Sequence, residues 1–321
     1  ASLGDDKAAL LAQIDGLKTL FPKEAERAEL AKLKKLAPKL ESDGRARKEF
    51  VETLRGLLTD GEDEQGDSTP QFFKLPGSEV FSKLATVKGK KKSSSADEGG
   101  AAGLGDFFRG AFDAARNVLN FGTYYEMKAR AGLVGASGLN GVLAQVQKKC
   151  PALRIHLVGH SFGGRVVAAA ADGPDHGSKV RICSMTLLQA AFSHHGFARK
   201  FDGKKNGFFR AEVEASRIDG PILVTHTKND KAVGLAYPIA SRLNGENAAS
   251  IGGPDDQYGG IGSNGAVKTP EAVTLKLLPS NGKYMLAKGK IHNLEATKFV
   301  KSHGDVAGRE VAYATLCAIA M

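Results

Sequence analysis

Six consecutive residues, Gly159-His160-Ser161-Phe162-Gly163-Gly164, constrain the fold of this chain more than any other segment. They follow a short apolar run at residues 154–158 and precede a run rich in alanine and valine at residues 165–171. This order predicts a strand, a sharp turn and a helix. The glycines are expected because a Cβ atom there would collide with the neighbouring strand and helix. We therefore expect Ser161 at the tip of a strained turn, as a candidate nucleophile.

The glycine motif is weak evidence by itself, because the chain has 39 glycines among 321 residues. Its position after a strand, before a helix and upstream of an Asp and a His is the stronger signal. The alternative is that Ser161 is only a small residue in a tight turn.

Predicted helices and strands alternate from Tyr124 onward, which is typical of an α/β protein with a parallel sheet. The predicted elements are a helix at 139–149, a strand at 154–158, a helix at 163–171, strands at 181–188 and 221–225, a helix at 234–243, a strand at 272–278 and a helix at 306–319. Residues 252–265, rich in glycine, are expected to form a long surface loop. We predict an α/β domain over residues 104–321, with a mostly parallel sheet flanked by helices.

The first 103 residues are predicted to form a helical region with flexible linkers. Apolar residues recur at helical spacing in three stripes: Leu11, Ile14, Leu17 and Leu20; Leu30, Leu33, Leu36 and Leu40; and Phe50, Val51, Leu54, Leu57 and Leu58. This region is interpreted as a cap, or as helices that pack on the rest of the chain. The apolar helix expected at 104–119, which contains Phe107, is either a lid over a site or part of the core.

A serine hydroxyl needs a base to take its proton and an acid to orient that base. Asp230 is the preferred acid, because it follows the predicted strand 221–225 and parallel strands end at the same edge of a sheet. Its alternative role is that of a helix N-cap. Weaker rivals lie in glycine-rich loops: Glu246, Asp255 and Asp256.

His303 is the preferred base among the eight histidines. It lies in a short polar turn, residues 301–305, directly before the predicted terminal helix. His292 is the second choice, because it also follows Asp230 in the chain. The remaining interpretation is that His303 belongs to a surface loop and has no role at the site.

These segments resemble the α/β-hydrolase superfamily, in particular its esterase-like and lipase-like serine hydrolases. The resemblance covers residues 139–321 and rests on residues 159–164, 227–230 and 302–305. It implies that Ser161 attacks an ester carbonyl, that His303 carries the proton and that Asp230 orients His303. The backbone N–H of Phe162 is then one donor of the oxyanion hole.

The chain departs from that family in its first half. Members have several strands before the nucleophile strand, whereas the first 150 residues here are predicted to be mostly helical. No segment for a second oxyanion donor is recognised. A half-sheet that ends at the nucleophile strand would expose an unpaired edge, so we expect a second copy or a partner chain to cover it.

Composition narrows the partners, the compartment and the cofactors that we expect for this chain. The chain has 45 Lys and Arg against 35 Asp and Glu, but the dense basic run at 88–95 lacks interleaved aromatic residues, so no nucleic-acid partner is expected. The apolar tract at 311–321 is too short to span a membrane. An odd number of cysteines, without C-x-x-C spacing, predicts no disulfide framework and favours a cytoplasmic protein. No cofactor or metal is expected, since Asp255 and Asp256 lack the spacing of a calcium loop.

The predicted function is a serine hydrolase that cleaves carboxylic esters, with apolar, lipid-like acyl groups favoured by the phenylalanines near Phe107. Thioester or peptide cleavage would use the same three residues. A binding or scaffold protein that keeps the fold without turnover is the alternative from a different class. Residues 5–58 could also act as a helical interaction surface.

Overall fold

The computed structural model of the chain describes residues 3–58, 70–85, 102–230 and 255–321. Of these, the side chains of residues 3–4, 70 and 102–109 are not described. The described residues divide after Glu126 into two compact units.

The first unit is helical throughout its described residues. Its helices are α1 (Leu3–Gly16), α2 (Glu24–Leu36), α3 (Gly44–Leu57), α4 (Pro70–Lys74), α5 (Gly77–Ala85) and the first part of α6 (Ala102–Leu133). The second and third predicted stripes are buried, from Leu30 to Leu40 and from Phe50 to Leu58. The first stripe is confirmed at Ile14 and Leu17, but its other buried residues are Leu10 and Phe21 rather than Leu11 and Leu20, because the buried positions are spaced i, i+4, i+7 and i+11 from Leu10.

The second unit contains a five-stranded sheet. Its strands are β1 (His156–His160), β2 (Ser184–Leu188), β3 (Ile222–His226), β4 (Ala272–Lys276) and β5 (Ile291–Glu295). They lie in the order β1-β2-β3-β5-β4, and every neighbouring pair is parallel. The predicted α/β class with a parallel sheet and flanking helices is therefore confirmed.

The helices of the second unit flank this sheet. They are the end of α6, α7 (Asn140–Lys149), α8 (Phe162–Asp172), α9 (Arg210–Glu214), α10 (Ile261–Asn264) and α11 (Arg309–Ile319), with a π-helical turn at Val134–Leu139 between α6 and α7. Successive strand residues point to opposite faces. Thus Val224 packs in the core that includes α8, whereas Leu223 packs in the core that includes α11.

Two parts of the second unit differ from the sequence prediction. Strand β5 was not predicted, because the run Ile-His-Asn-Leu-Glu carries too few apolar residues to stand out. The described part of the expected surface loop, residues 255–265, contains α10 and the buried residues Tyr258 and Ile261. The helix predicted at 234–243 lies outside the described residues.

Strand β1 is an edge of the sheet within the described residues. It pairs with β2 alone, and no strand precedes it in the part of the chain that the structure describes. Val158, near the middle of β1, has an exposed side chain. The helical character predicted upstream is confirmed, and a partner chain at this edge stays a prediction. Separately, no helix among the described residues is long and apolar enough to cross a membrane.

A buried histidine pair lies in the segment that follows β2. The rings of His194 and His195 are 4.1 Å apart, and His195 also stacks on Phe201. Burial is the main cause that lowers the pKa of His194 to about 3 and that of His195 to about 4. Both rings are therefore neutral in the folded protein at pH 5, where most unfolded histidines carry a proton.

This pair predicts a loss of stability in mild acid. Since unfolding takes up protons below about pH 6.5, the free energy of unfolding falls as the pH drops toward 4. His195→Phe keeps the stacking on Phe201 and removes one site of proton uptake. We expect its pH dependence to be shallower by up to about 1.4 kcal/mol per pH unit. Urea unfolding at pH 7, 6 and 5 measures this, and equal slopes for the two proteins would contradict it.

Candidate active site

Ser161 occupies a strained turn between β1 and α8. Its backbone has φ 55° and ψ −125°, a conformation that costs a residue with a side chain about 1–3 kcal/mol. Two backbone hydrogen bonds, to the last residue of β2 and to the segment that follows it, hold it there. The N–H of Ser161 donates to the carbonyl of Leu188 at 3.1 Å, and its own carbonyl accepts from the N–H of Ala191 at 2.9 Å. The predicted strand, turn and helix are thus present, with Ser161 at the turn.

The glycines around Ser161 have unequal roles. A Cβ atom on Gly159 would lie 2.6 Å from the carbonyl carbon of Gly163, and one on Gly164 would collide with Ala190. A Cβ atom on Gly163 would meet nothing within 4 Å. Close packing therefore requires Gly159 and Gly164, although Gly163 is the one that completes the short sequence motif.

Ser161, His303 and Asp230 meet at the carboxyl edge of the sheet. His303 Nε2 is 2.8 Å from Ser161 Oγ, and His303 Nδ1 is 2.9 Å from Asp230 Oδ2. An ionised carboxylate only accepts hydrogen bonds, so Nδ1 carries the proton and Nε2 is left to accept the serine hydroxyl. The Asp230 side chain is fully buried, and that of His303 is 23% exposed. The arrangement can therefore transfer a proton from Ser161 to His303.

The loops that carry the acid and the base are tied to each other. The side-chain amide of Asn229 donates to the carbonyls of Val300, at 2.8 Å, and Thr297, at 3.2 Å. Thr227 Oγ1 also donates to the carbonyl of Val300, at 3.1 Å. These bonds join the segment after β3 to the segment after β5, and so set the separation of Asp230 from His303.

His160 ties the nucleophile turn to the base. Its Nε2 donates to the carbonyl oxygen of His303 at 2.9 Å, and the two rings are 4.8 Å apart. Because a carbonyl can only accept, His160 Nε2 carries a proton in this bond. His160 therefore positions His303 through its backbone carbonyl and its ring.

Phe162 is the first residue of α8, so its amide belongs to the first turn of that helix. The amides of a first turn carry the positive end of the helix dipole, which here adjoins Ser161. The expected role of Phe162 as an oxyanion donor stays a prediction, as does a second donor. The side chain of Phe107, expected on a lid or in the core, lies outside the described side chains.

The rival residues lie elsewhere or are not described. His292 is within β5, where its Nε2 accepts from the N–H of Ala287 at 3.0 Å and burial lowers its pKa. Asp256 is buried and accepts from the N–H of Tyr258. Asp255 is exposed, and Glu246 lies outside the described residues. Neither Asp256 nor His292 takes part in the hydrogen bonds that link Ser161, His303 and Asp230.

The positioning contacts of His160 and Asn229 are not predicted by the sequence. His160 is the variable position of the glycine motif, and nothing in the sequence indicates that its ring reaches residue 303. Asn229 directly precedes Asp230, so the cluster of polar residues after the predicted strand is the sequence signal that could have indicated its role.

Within the ranges that the structure describes, no group of three or more His, Cys, Asp or Glu residues could hold a metal ion. The expectation of no metal or cofactor stays a prediction. No family model, curated protein or solved structure matches the chain.

The packing of the turn predicts that replacing two adjacent glycines by alanine will change the stability of the protein differently. Gly164→Ala should lower the free energy of unfolding by about 1–3 kcal/mol, because the new methyl group collides with Ala190. Gly163→Ala, the matched control, should leave it unchanged or raise it by up to about 1 kcal/mol. Urea unfolding of both variants is the measurement. Equal destabilisation by the two substitutions would mean that the turn is packed differently.

Proposed function

We propose that the chain is a serine hydrolase that cleaves carboxylic esters, built as an α/β-hydrolase with half of the usual sheet. The observation that carries the proposal is the continuous line of hydrogen bonds from Ser161 through His303 to the buried Asp230. These three groups at these distances are what nucleophilic catalysis by a serine requires.

The proposed first step forms an acyl-enzyme. Ser161 Oγ attacks the carbonyl carbon of the ester while its proton passes to His303 Nε2. The resulting imidazolium is stabilised by Asp230, whose carboxylate already accepts from Nδ1. The tetrahedral intermediate then collapses, and the leaving alcohol takes the proton from His303.

The second step returns the enzyme to its starting state. A water molecule gives a proton to His303 Nε2 and attacks the acyl carbon, and Ser161 leaves with that proton as the carboxylic acid is released. In both steps the negative oxygen needs hydrogen-bond donors. The proposed donor in this chain is the N–H of Phe162, supported by the positive end of the α8 dipole.

The acyl preference rests on the sequence alone. Apolar, lipid-like acyl groups are proposed because of the phenylalanines near Phe107. Thioesters and peptides would pass through the same acyl-enzyme. A panel of 4-nitrophenyl esters with acyl chains of increasing length tests activity and pocket size together.

Covalent labelling tests the proposed nucleophile. A fluorophosphonate probe should label the protein, and Ser161→Ala should abolish the labelling because the attacking oxygen is gone. Asp230→Asn should slow it by about 10³- to 10⁴-fold, since His303 loses its orienting acceptor. Intact-protein mass spectrometry measures the adduct. A folded wild-type protein that is neither labelled nor active on the ester panel would favour the scaffold alternative. The absence of strands upstream of β1 in the described residues supports that alternative.

The hydrogen bond between His160 and His303 predicts that two substitutions of His160 will change the labelling rate of Ser161 by different amounts. His160→Met removes the donor to the His303 carbonyl and should slow labelling of Ser161 by about tenfold. His160→Gln keeps an N–H donor at a similar reach and should restore most of the rate. The measurement is the labelling rate of each variant. Equal rates for His160→Met and His160→Gln would mean that His160 only fills space.

A further inference from the structure

A second candidate site lies at the far end of α8. A cavity of about 410 Å³ is lined in part by Ala129, Ala136, Ala169 and Phe208, and by the turn that follows α8. Ser161 precedes the first residue of this 11-residue helix, so the cavity lies roughly 16 Å from it at 1.5 Å per residue. Its volume is within the range of about 300–1,000 Å³ that small-molecule sites have.

An oriented imidazole lines this cavity. The Nδ1 of His176 donates to Asp172 Oδ2, and the other oxygen of Asp172 accepts from Arg217 Nη1 at 2.7 Å. Asp172 is 2% exposed, so this carboxylate is part of the folded interior. A neutral imidazole that carries its proton on Nδ1 keeps Nε2 as an acceptor. No partner for Nε2 is found among the described residues.

The turn that carries His176 is held rigidly. Asp175 and His176 have φ values of 49° and 54°, the left-handed region that residues with side chains avoid. Arg217 fixes them by donating to the carbonyls of both Asp172 and His176. The His176 ring also packs edge-on against Phe208, with centroids 5.3 Å apart. The acceptor is therefore held in place before any ligand arrives.

The charges around the cavity favour a neutral ligand. The carboxylate of Asp175 on the cavity wall disfavours an anion. The guanidinium of Arg165 lies close behind the wall, since a Cβ on Gly132 would be 3.3 Å from its Nη2. The second positive charge nearby, on Arg217, is offset by the carboxylate of Asp172, 2.7 Å away. Burial raises the pKa of Glu212, which interacts with Asp172, and so weakens its tendency to carry a negative charge.

We propose that this cavity binds a small, apolar molecule with one neutral hydroxyl group, such as an alcohol or a phenol. The apolar body contacts the alanines and Phe208, and the hydroxyl donates to His176 Nε2. This site is independent of Ser161 and of the proposed hydrolase activity.

The test is a binding comparison in which the probes differ in one group. Isothermal titration calorimetry with 4-ethylphenol should give saturable binding about 3- to 10-fold tighter than with 4-ethylanisole, which lacks the donor. 4-Ethylbenzylamine and 4-ethylbenzoate, a cation and an anion, should bind more weakly than the phenol. Tighter binding of either charged probe, or equal binding of phenol and anisole, would overturn the proposal.

Two variants locate the binding. Ala129→Phe should abolish it by filling the cavity, whereas Ala144→Phe, the same change on an exposed position of α7, should leave it intact. His176→Asn, which tolerates the left-handed backbone, should remove the preference for phenol over anisole. Circular dichroism checks the fold of each variant. Unchanged binding in folded Ala129→Phe or an unchanged preference in His176→Asn would exclude this cavity as the site, whether or not Ser161 is labelled.

Discussion

The strained backbone of Ser161 is the constraint on which the proposed chemistry depends. A residue with a side chain leaves this conformation unless its surroundings hold it, and here the restraint comes from the neighbouring strand β2. The hydrogen bonds to Leu188 and Ala191 hold the amide and the carbonyl of Ser161 between the end of β2 and the start of α8. Gly159 and Gly164 then allow α8 to lie close enough to close the turn. Main-chain contacts thus hold the backbone of Ser161 in the conformation that directs its hydroxyl toward His303.

The sheet order explains how residues far apart in the chain come together. Strands β1, β2 and β3 are neighbours, and β5 pairs with β3, so the segments after β3 and β5 emerge side by side. Asp230 lies in the first of these segments and His303 beyond the second. Asn229 and Thr227 join the two segments directly, which holds the acid and the base together at the edge of the sheet.

Much of this arrangement could be predicted from sequence because it depends on local patterns. The strand before Ser161, the glycines and the polar turn at residues 301–305 each carry a recognisable signal. The role of β5 could not be predicted, since its run of five residues includes His292 and Asn293, whose burial depends on neighbours distant in sequence. His160 was missed for the same reason, because its partner is the carbonyl of residue 303.

The position of β1 at the sheet edge has a consequence for Ser161. In a sheet that continues on both sides, a nucleophile strand is held by two neighbours, whereas β1 pairs with β2 alone among the described residues. Every described backbone restraint on Ser161 accordingly comes from the β2 side or from α8. The bond from His160 to the His303 carbonyl adds a restraint from the base loop. His160 therefore joins the end of an edge strand to the loop that bears the base, on the side of the turn where Ser161 meets His303.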